Sequence, residues 1–308
     1  MNSAGPVGVQ QAPPPGGSLS GAGLRRLPRD RWILVALIPL AFVAIFFAYP
    51  VVEMLRRSFT DFLTPAESGF SNYEWFLGSS VQLEILRRTF TSALLVTGIC
   101  LVLGYPYAYL MTLVGWRWRV IMMAAVLMPF WTSVIVRNYS WIILLQDNGP
   151  VVSALEDLGL GSVRLLGTTT AVVIGMTQIM LPFMILPLYS VLSRIDRSLL
   201  LAAQSLGANP RVAFVRVYVP LSVPGIMAGS TIVFILALGF YFAPVLLGSP
   251  QNSLLSQQIV EQVSTLLAFG RGGAMALVLL ILTLLLLGLG ARGARPYRRA
   301  LGIGSQDG

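Results

Sequence analysis

Apolar residues gather in six long stretches along the 308-residue chain, at roughly 32–52, 89–114, 120–145, 168–193, 225–247 and 272–291. Each is long enough to cross a bilayer core, which takes about 20 residues as a helix. Strands with open edges cannot satisfy their backbone in lipid, so these stretches predict helices. The fold expected is therefore an all-α integral membrane protein with six transmembrane helices. Charge is nearly absent from the stretches; Arg137, in the third, is the exception.

The polar intervals set the orientation. With the amino terminus inside, the inner intervals hold Arg25, Arg26, Arg29, Arg31, Arg117, Arg119, Arg194, Arg197, Arg211, Arg216, Arg292, Arg295, Arg298 and Arg299. The outer intervals hold six arginines, Arg56, Arg57, Arg87, Arg88, Arg164 and Arg271, together with nine of the twelve acids. Short loops rich in Arg stay on the cytoplasmic side, so both termini are expected there. Residues 1–23 are rich in Gly, Pro, Ser, Ala and Gln and carry no charge, which reads as a disordered tail. The division expected is a cytoplasmic tail over 1–30, a membrane domain over 31–291 and a cytoplasmic tail over 292–308.

The interval 194–224 is the longer of the two inner ones between spans, with four arginines against the single acid Asp196. Within it, 198–206 has the spacing of a short helix, and Gly207 is its expected stop. Ala202 and Ala203 are small enough to let another surface come close. The outer intervals 53–88 and 146–167 have room for short interfacial helices, with Trp75 and Phe76 as expected headgroup anchors. The run 249–269 is moderately polar with helical spacing. It is expected to lie along the outer surface or dip toward a cavity.

Composition agrees with a membrane protein and removes several chemistries. Hydrophobic residues make up 56% and charged ones 11%, against about 25% charged in a soluble domain. The net charge of +9 is carried wholly by Arg, scattered between apolar stretches with no single stripe for nucleic acid. With no His and only Cys100, a zinc site and the imidazole-based nucleophile triads are out of reach. With no Lys, a Walker A loop cannot be built, so the chain does not hydrolyse ATP by that route.

Several residues inside the stretches could shape a path for a solute. Arg137 would either face a cavity or partner, or snorkel to the outer headgroups. Pro129, Pro182, Pro187 and Pro244 each remove a helical hydrogen bond and permit kinks. Tyr105, Tyr107 and Tyr109, and the run Phe240-Tyr241-Phe242, could clamp an organic cation on their ring faces or could simply pack. Gly225-x-x-x-Gly229 allows two helices to approach closely. As candidates for a translocation path we take Trp131, Arg137, Tyr139, Phe240 and Tyr241.

The segment Leu201-Ala202-Ala203-x-x-x-Gly207, followed by Phe214, Val217, Pro220-Leu221 and Pro224-Gly225, resembles the EAA motif of permease subunits of bacterial ABC importers. The run Pro129–Trp141, then Asn148-Gly149, looks like the spermidine/putrescine-type branch. The resemblance covers about 31–291 and implies the type I importer permease fold. It also implies that 194–224 carries a cytoplasmic coupling helix docking on a separate ATPase, with Leu201, Ala202, Ala203, Gly207 and Ala208 as docking positions. Leu201 stands where the motif has Glu, so a charged contact there is not expected. Implied partners are two copies of the ATPase, a second permease as heterodimer partner and an extracellular or periplasmic solute-binding protein, besides membrane lipid. ATP and Mg would sit on the ATPase, with no cofactor on this chain, and the cargo would be a small solute such as a polyamine. The expected location is the bacterial plasma (inner) membrane. The alternatives are a secondary transporter or channel, which should show coupling-ion ligands in its spans, and an intramembrane enzyme, which needs a nucleophile with a base or a metal-binding acid cluster.

Overall fold

The structure is a computed structural model that describes residues 37–63, 68–159 and 164–300, with the side chains of 291 and 293–300 left aside. The expected disordered tail and the arginines Arg25 to Arg31 lie outside these residues. All regular structure among the described residues is helical. The chain divides into two units, residues 1–52 and 53–308. In the first, α1 (Leu37–Thr60) begins, with a π-helical turn at Ala44–Ala48 that bulges an otherwise regular apolar helix.

In the second unit the end of α1 meets α2 (Ser71–Gly78) and α3 (Ser80–Leu113). Buried Asn72 donates from Nδ2 to the carbonyls of Ser58 and Asp61, both at 2.9 Å, which answers orphan carbonyls at the end of α1. The final helix, α12 (Phe269–Ala300), starts against the carbonyls of Asp61 and Met54. A Cβ on Gly270 would fall 1.8 Å from the Asp61 carbonyl oxygen, and one on Gly273 2.6 Å from that of Met54. Only glycine permits this contact. Phe76 does not reach the headgroups as expected: it is fully buried with Ile85, Leu255 and Met275, because α2 folds down between α3 and α12. Trp75 lies instead under the guanidinium of Arg271, 4.5 Å from its ring centre.

The core is built by α3, α7 (Thr169–Leu192) and α9 (Pro210–Leu238), which pack on one another. Met176, Met180, Met184, Ile185, Leu188 and Leu192 of α7 are buried at its centre. Glycines set the spacing around them. A Cβ on Gly229 would come 2.8 Å from the Met184 sulfur, one on Gly225 3.0 Å from Val191 Cβ, and one on Gly104 3.0 Å from Met184 Cγ. The pair Gly225 and Gly229 therefore acts as its spacing suggests, bringing α9 onto α7.

Two spans depart from the sequence pattern. The third is not one rod: α4 (Trp116–Leu127) runs into a 3₁₀ turn at Met128–Trp131, and after Ser133 the chain resumes as α5 (Val134–Leu145) and α6 (Pro150–Asp157), bent by 99°. Counted as one broken span, this pair brings the candidate spans among the described residues to six. The fifth span begins at Pro210, not near 225, and ends at Leu238, not 247. Gly239 breaks it, and α10 (Phe242–Leu247) follows as a separate short helix. Pro182 and Pro187 lie inside a continuous α7, whereas Pro129 sits at the bend and Pro244 in α10.

Candidate functional site

The inner interval folds into a helix with defined ends. α8 (Ser198–Ser205) opens where the Ser198 amide donates to Asp196 Oδ1 at 2.9 Å. These hydrogen bonds from Ser198 hold the Asp196 carboxyl below its usual value. The helix closes in a Schellman turn: the amide of Ala208 donates to the Ala203 carbonyl at 3.1 Å and that of Gly207 to Gln204 at 2.9 Å. The turn needs a left-handed residue, and Gly207 supplies it with φ +89°. A Cβ there would meet nothing within 4 Å, so position 207 faces open space. Asn209 then accepts from the Arg211 amide at 3.1 Å, Pro210 takes the first helical position, and α9 begins.

The face this turn presents is apolar. Leu206 is 90% exposed and Leu201 63%, with Ala202 and Leu199 exposed beside them. Ala203 and Ala208 are partly buried. All five expected docking positions are thus on one helix-and-turn unit, with Leu201, Ala202 and Gly207 exposed.

The base of the unit is anchored by rings. Phe214 stacks on Tyr218 at 5.3 Å, and Tyr109 of α3 meets both edge-on at 5.2 Å. Tyr105 reaches the cluster too, its ring 6.5 Å from Phe214 and its hydroxyl 3.1 Å from Ser222 Oγ. Phe214–Tyr218 is a π-helical turn inside α9. Arginines complete the join: Arg197 donates to the carbonyl of Thr112, and Arg119 donates to those of Met111 (3.2 Å) and Val114 (3.3 Å). Cations thereby take the free carbonyls at the end of α3, where the helix dipole favours them. The tyrosines of α3 are packing residues: the third, Tyr107, donates to the Met122 carbonyl of α4 at 2.9 Å.

The path candidates do not converge. Arg137 donates from Nη2 to the carbonyls of Pro129 and Thr132 (2.9 Å for the latter); the Pro129 carbonyl also accepts from the amide and hydroxyl of Thr132, whereas that of Thr132 is left open by the bend. Trp131 (81% exposed) and Tyr139 lie on exposed surface, and Phe240 packs on the core. Tyr241 lines a cavity of about 700 Å³ between α10 and α11 (Leu255–Val260), continued by the π-helical turn Glu261–Thr265. Its walls include Gln257, Gln258, Glu261, Ser264 and Thr265. Glu261 was legible only as an outer-side acid. The spacing of Gln257, Glu261 and Ser264 marks one helical face, but the cavity opposite that face comes from the fold-back of α10.

No family model matches the chain. Among curated proteins, the "Spermidine/putrescine transport system permease protein PotB" of Escherichia coli K12 is 34% identical over 228 residues, covering 71% of this chain and 83% of that one. The chain belongs to the PotB branch of the ABC importer permeases. The Haemophilus influenzae PotB agrees, at 36% over 201 residues, 64% of this permease and 70% of its own length. The "Inner membrane ABC transporter permease protein YdcU" of Escherichia coli K12 is 37% identical over 193 residues, 57% of the permease and 62% of its own length. Among solved structures, a chain of a bacterial alginate ABC transporter superposes with TM-score 0.67 over 87% of the permease and 96% of its own length. A second, from the complex with an alginate-bound periplasmic protein, gives 0.70 over 87% and 95%. Both are 19% identical and so attest the fold alone. The permease is a transport component of the inner membrane, crossing it several times.

Proposed function

We propose that the permease forms half of the translocation pathway of an ATP-driven importer for a polyamine such as spermidine or putrescine. In this reading α8 and its closing turn dock on an ATPase subunit, present in two copies, which binds ATP and Mg. A second permease completes the pathway, and an extracellular or periplasmic protein delivers the solute. The chain binds no cofactor of its own.

The observation that carries the reading is the apolar, solvent-facing unit at Leu201–Ala208, held rigid by its own caps and fixed by rings and arginines to the ends of α3 and α9. A loop designed only to connect spans needs no such anchoring. A push on α8 would be transmitted to both helices, because rigid elements move as bodies about their contacts. The naming of the PotB relatives supports the solute class.

The test is purification of the tagged permease from its native membrane in mild detergent, followed by reconstitution with whatever accompanies it. Co-purification of an ATPase and a second permease, with ATP-dependent spermidine uptake, is the expected result. A chain that purifies only with itself and moves solute without ATP would leave a secondary carrier as the better description.

A further inference from the structure

The cavity beside Tyr241 is of a size that holds small ligands, about 700 Å³ against a usual range of roughly 300–1,000 Å³. Its chemistry is one-sided. Gln257, Glu261 and Ser264 recur at helical spacing and form one polar stripe along the wall. One N–H of the Gln258 amide goes to Ser253 Oγ at 3.3 Å, which fixes that side chain at the cavity wall. The oxygen of Gln257 accepts from the Leu254 amide at 2.8 Å, locking that side chain in place. Among the described residues no arginine lines the cavity, although arginine is the sequence's only cationic residue type.

Glu261 supplies the charge. The ion pairs among the described residues use Glu53 and Glu84, and none uses Glu261. A carboxylate without a cation, beside a Tyr ring and hydroxyl oxygens, is a complementary setting for an alkylammonium group: the carboxylate and oxygens accept its hydrogen bonds, and the ring face attracts its charge. The π-turn at Glu261–Thr265 adds a second sign, since such bulges cluster at functional sites.

We infer that this cavity is a binding site for an organic ammonium ion, with Glu261 as its anionic anchor and Tyr241 as its ring wall. The inference rests on the importer reading above and deepens it, by placing part of the recognition of the solute in the permease itself.

The experiment uses the complete reconstituted transporter with labelled spermidine as the probe. Glu261→Gln keeps size and removes charge, and is expected to raise the KM for spermidine at least tenfold while the complex still purifies with its ATPase. Glu261→Asp should recover much of the loss. Ser264→Arg, which leaves Glu261 in place and puts a competing guanidinium one turn away, should depress uptake as well; it serves if Glu261→Gln fails to assemble. Wild-type spermidine kinetics in an assembled Glu261→Gln or Ser264→Arg complex would overturn the site and leave the importer reading intact. A wild-type transporter that imports no spermidine or putrescine would overturn both.

Discussion

The ring of Tyr109 on α3 meets the ring of Phe214 on α9 edge-on, with centres 5.2 Å apart. This pair joins two core helices at the point where the exposed unit α8 attaches to them, so it stands between the docking face and the spans.

Removing either ring should therefore loosen the attachment without unfolding the core. Burial of a ring of this size is worth about 2 kcal/mol, and the edge-on contact about 1 kcal/mol more. We predict that Phe214→Ala lowers the thermal midpoint of the purified complex, and that a double-mutant cycle with Tyr109→Ala returns a coupling of about 1 kcal/mol. ATP hydrolysis should persist while uptake falls. Additive losses, with uptake and hydrolysis declining in step, would show that the pair only fills space.

Gly207 allows a cleaner separation of docking from folding. Its φ of +89° imposes a modest cost on any side chain, of the order of 1 kcal/mol, and Asp tolerates that region better than most. A Cβ meets no neighbour, so the chain itself should absorb Gly207→Asp. We expect the variant to insert and purify but to lose its ATPase. Normal transport by Gly207→Asp would remove the turn from the docking face.

Leu206 carries the same argument through its apolar surface. At 90% exposure it contributes little to the chain's own stability, yet a Leu buried by a partner is worth about 1.5–3 kcal/mol. Leu206→Asp should weaken ATPase binding by about one to two orders of magnitude, read by titrating ATPase onto permease in detergent. An affinity within twofold of the parent would place Leu206 outside the interface.

How much of this could be read from the chain differs by element. The inner helix was plain, since 198–206 has the spacing of a short helix and Gly207 is its stop. The start of α9 was hidden: Arg211 and Arg216 make 210–224 look like loop, although Asn209-Pro210 is a cap followed by the residue best suited to open a helix. Those arginines are exposed, so the helix simply emerges into water before it enters the membrane. The bend after Trp131 was half legible. Pro129 signals a break, but a turn of 99° also needs its acceptors answered: Thr132 answers the Pro129 carbonyl, and Arg137 from the next helix answers that of Thr132. Phe76 was misplaced because hydrophobicity near a span does not say whether protein or headgroups will cover it. The Glu261 cavity needs α10 and α11 brought face to face, a relation between segments that no local pattern encodes.

Arg137 thus offers a test of the bend. A hydrogen bond from a charged donor to a carbonyl that would otherwise be orphaned, as that of Thr132 would be, is worth about 1.5–3 kcal/mol. Arg137→Ala should lower the thermal midpoint and increase hydrogen exchange at 129–134, and Arg137→Lys should restore only part, since one ammonium replaces a planar fork. Unchanged exchange in Arg137→Ala would mean that Pro129 and the surrounding packing hold the bend unaided.

The start of α8 should respond to pH through Asp196. Its carboxyl sits below the ordinary value of 3.8 in the folded chain, chiefly because Ser198 donates to it. A depressed folded-state value means that the ionised form favours the capped helix. The contribution is fully present above the unfolded value and is lost as pH falls through the folded one. Amide protection at Ser198, corrected for the intrinsic pH dependence of exchange, should therefore hold at neutral pH and fade only below the usual carboxylate range. Asp196→Ala should remove the pH dependence and leave that amide fast at all pH values. Asp196→Asn retains an uncharged acceptor and should keep part of the protection without the titration. If protection at Ser198 is the same in all three proteins, the first turn of α8 is held by the Arg197 tether to Thr112, and the cap is incidental.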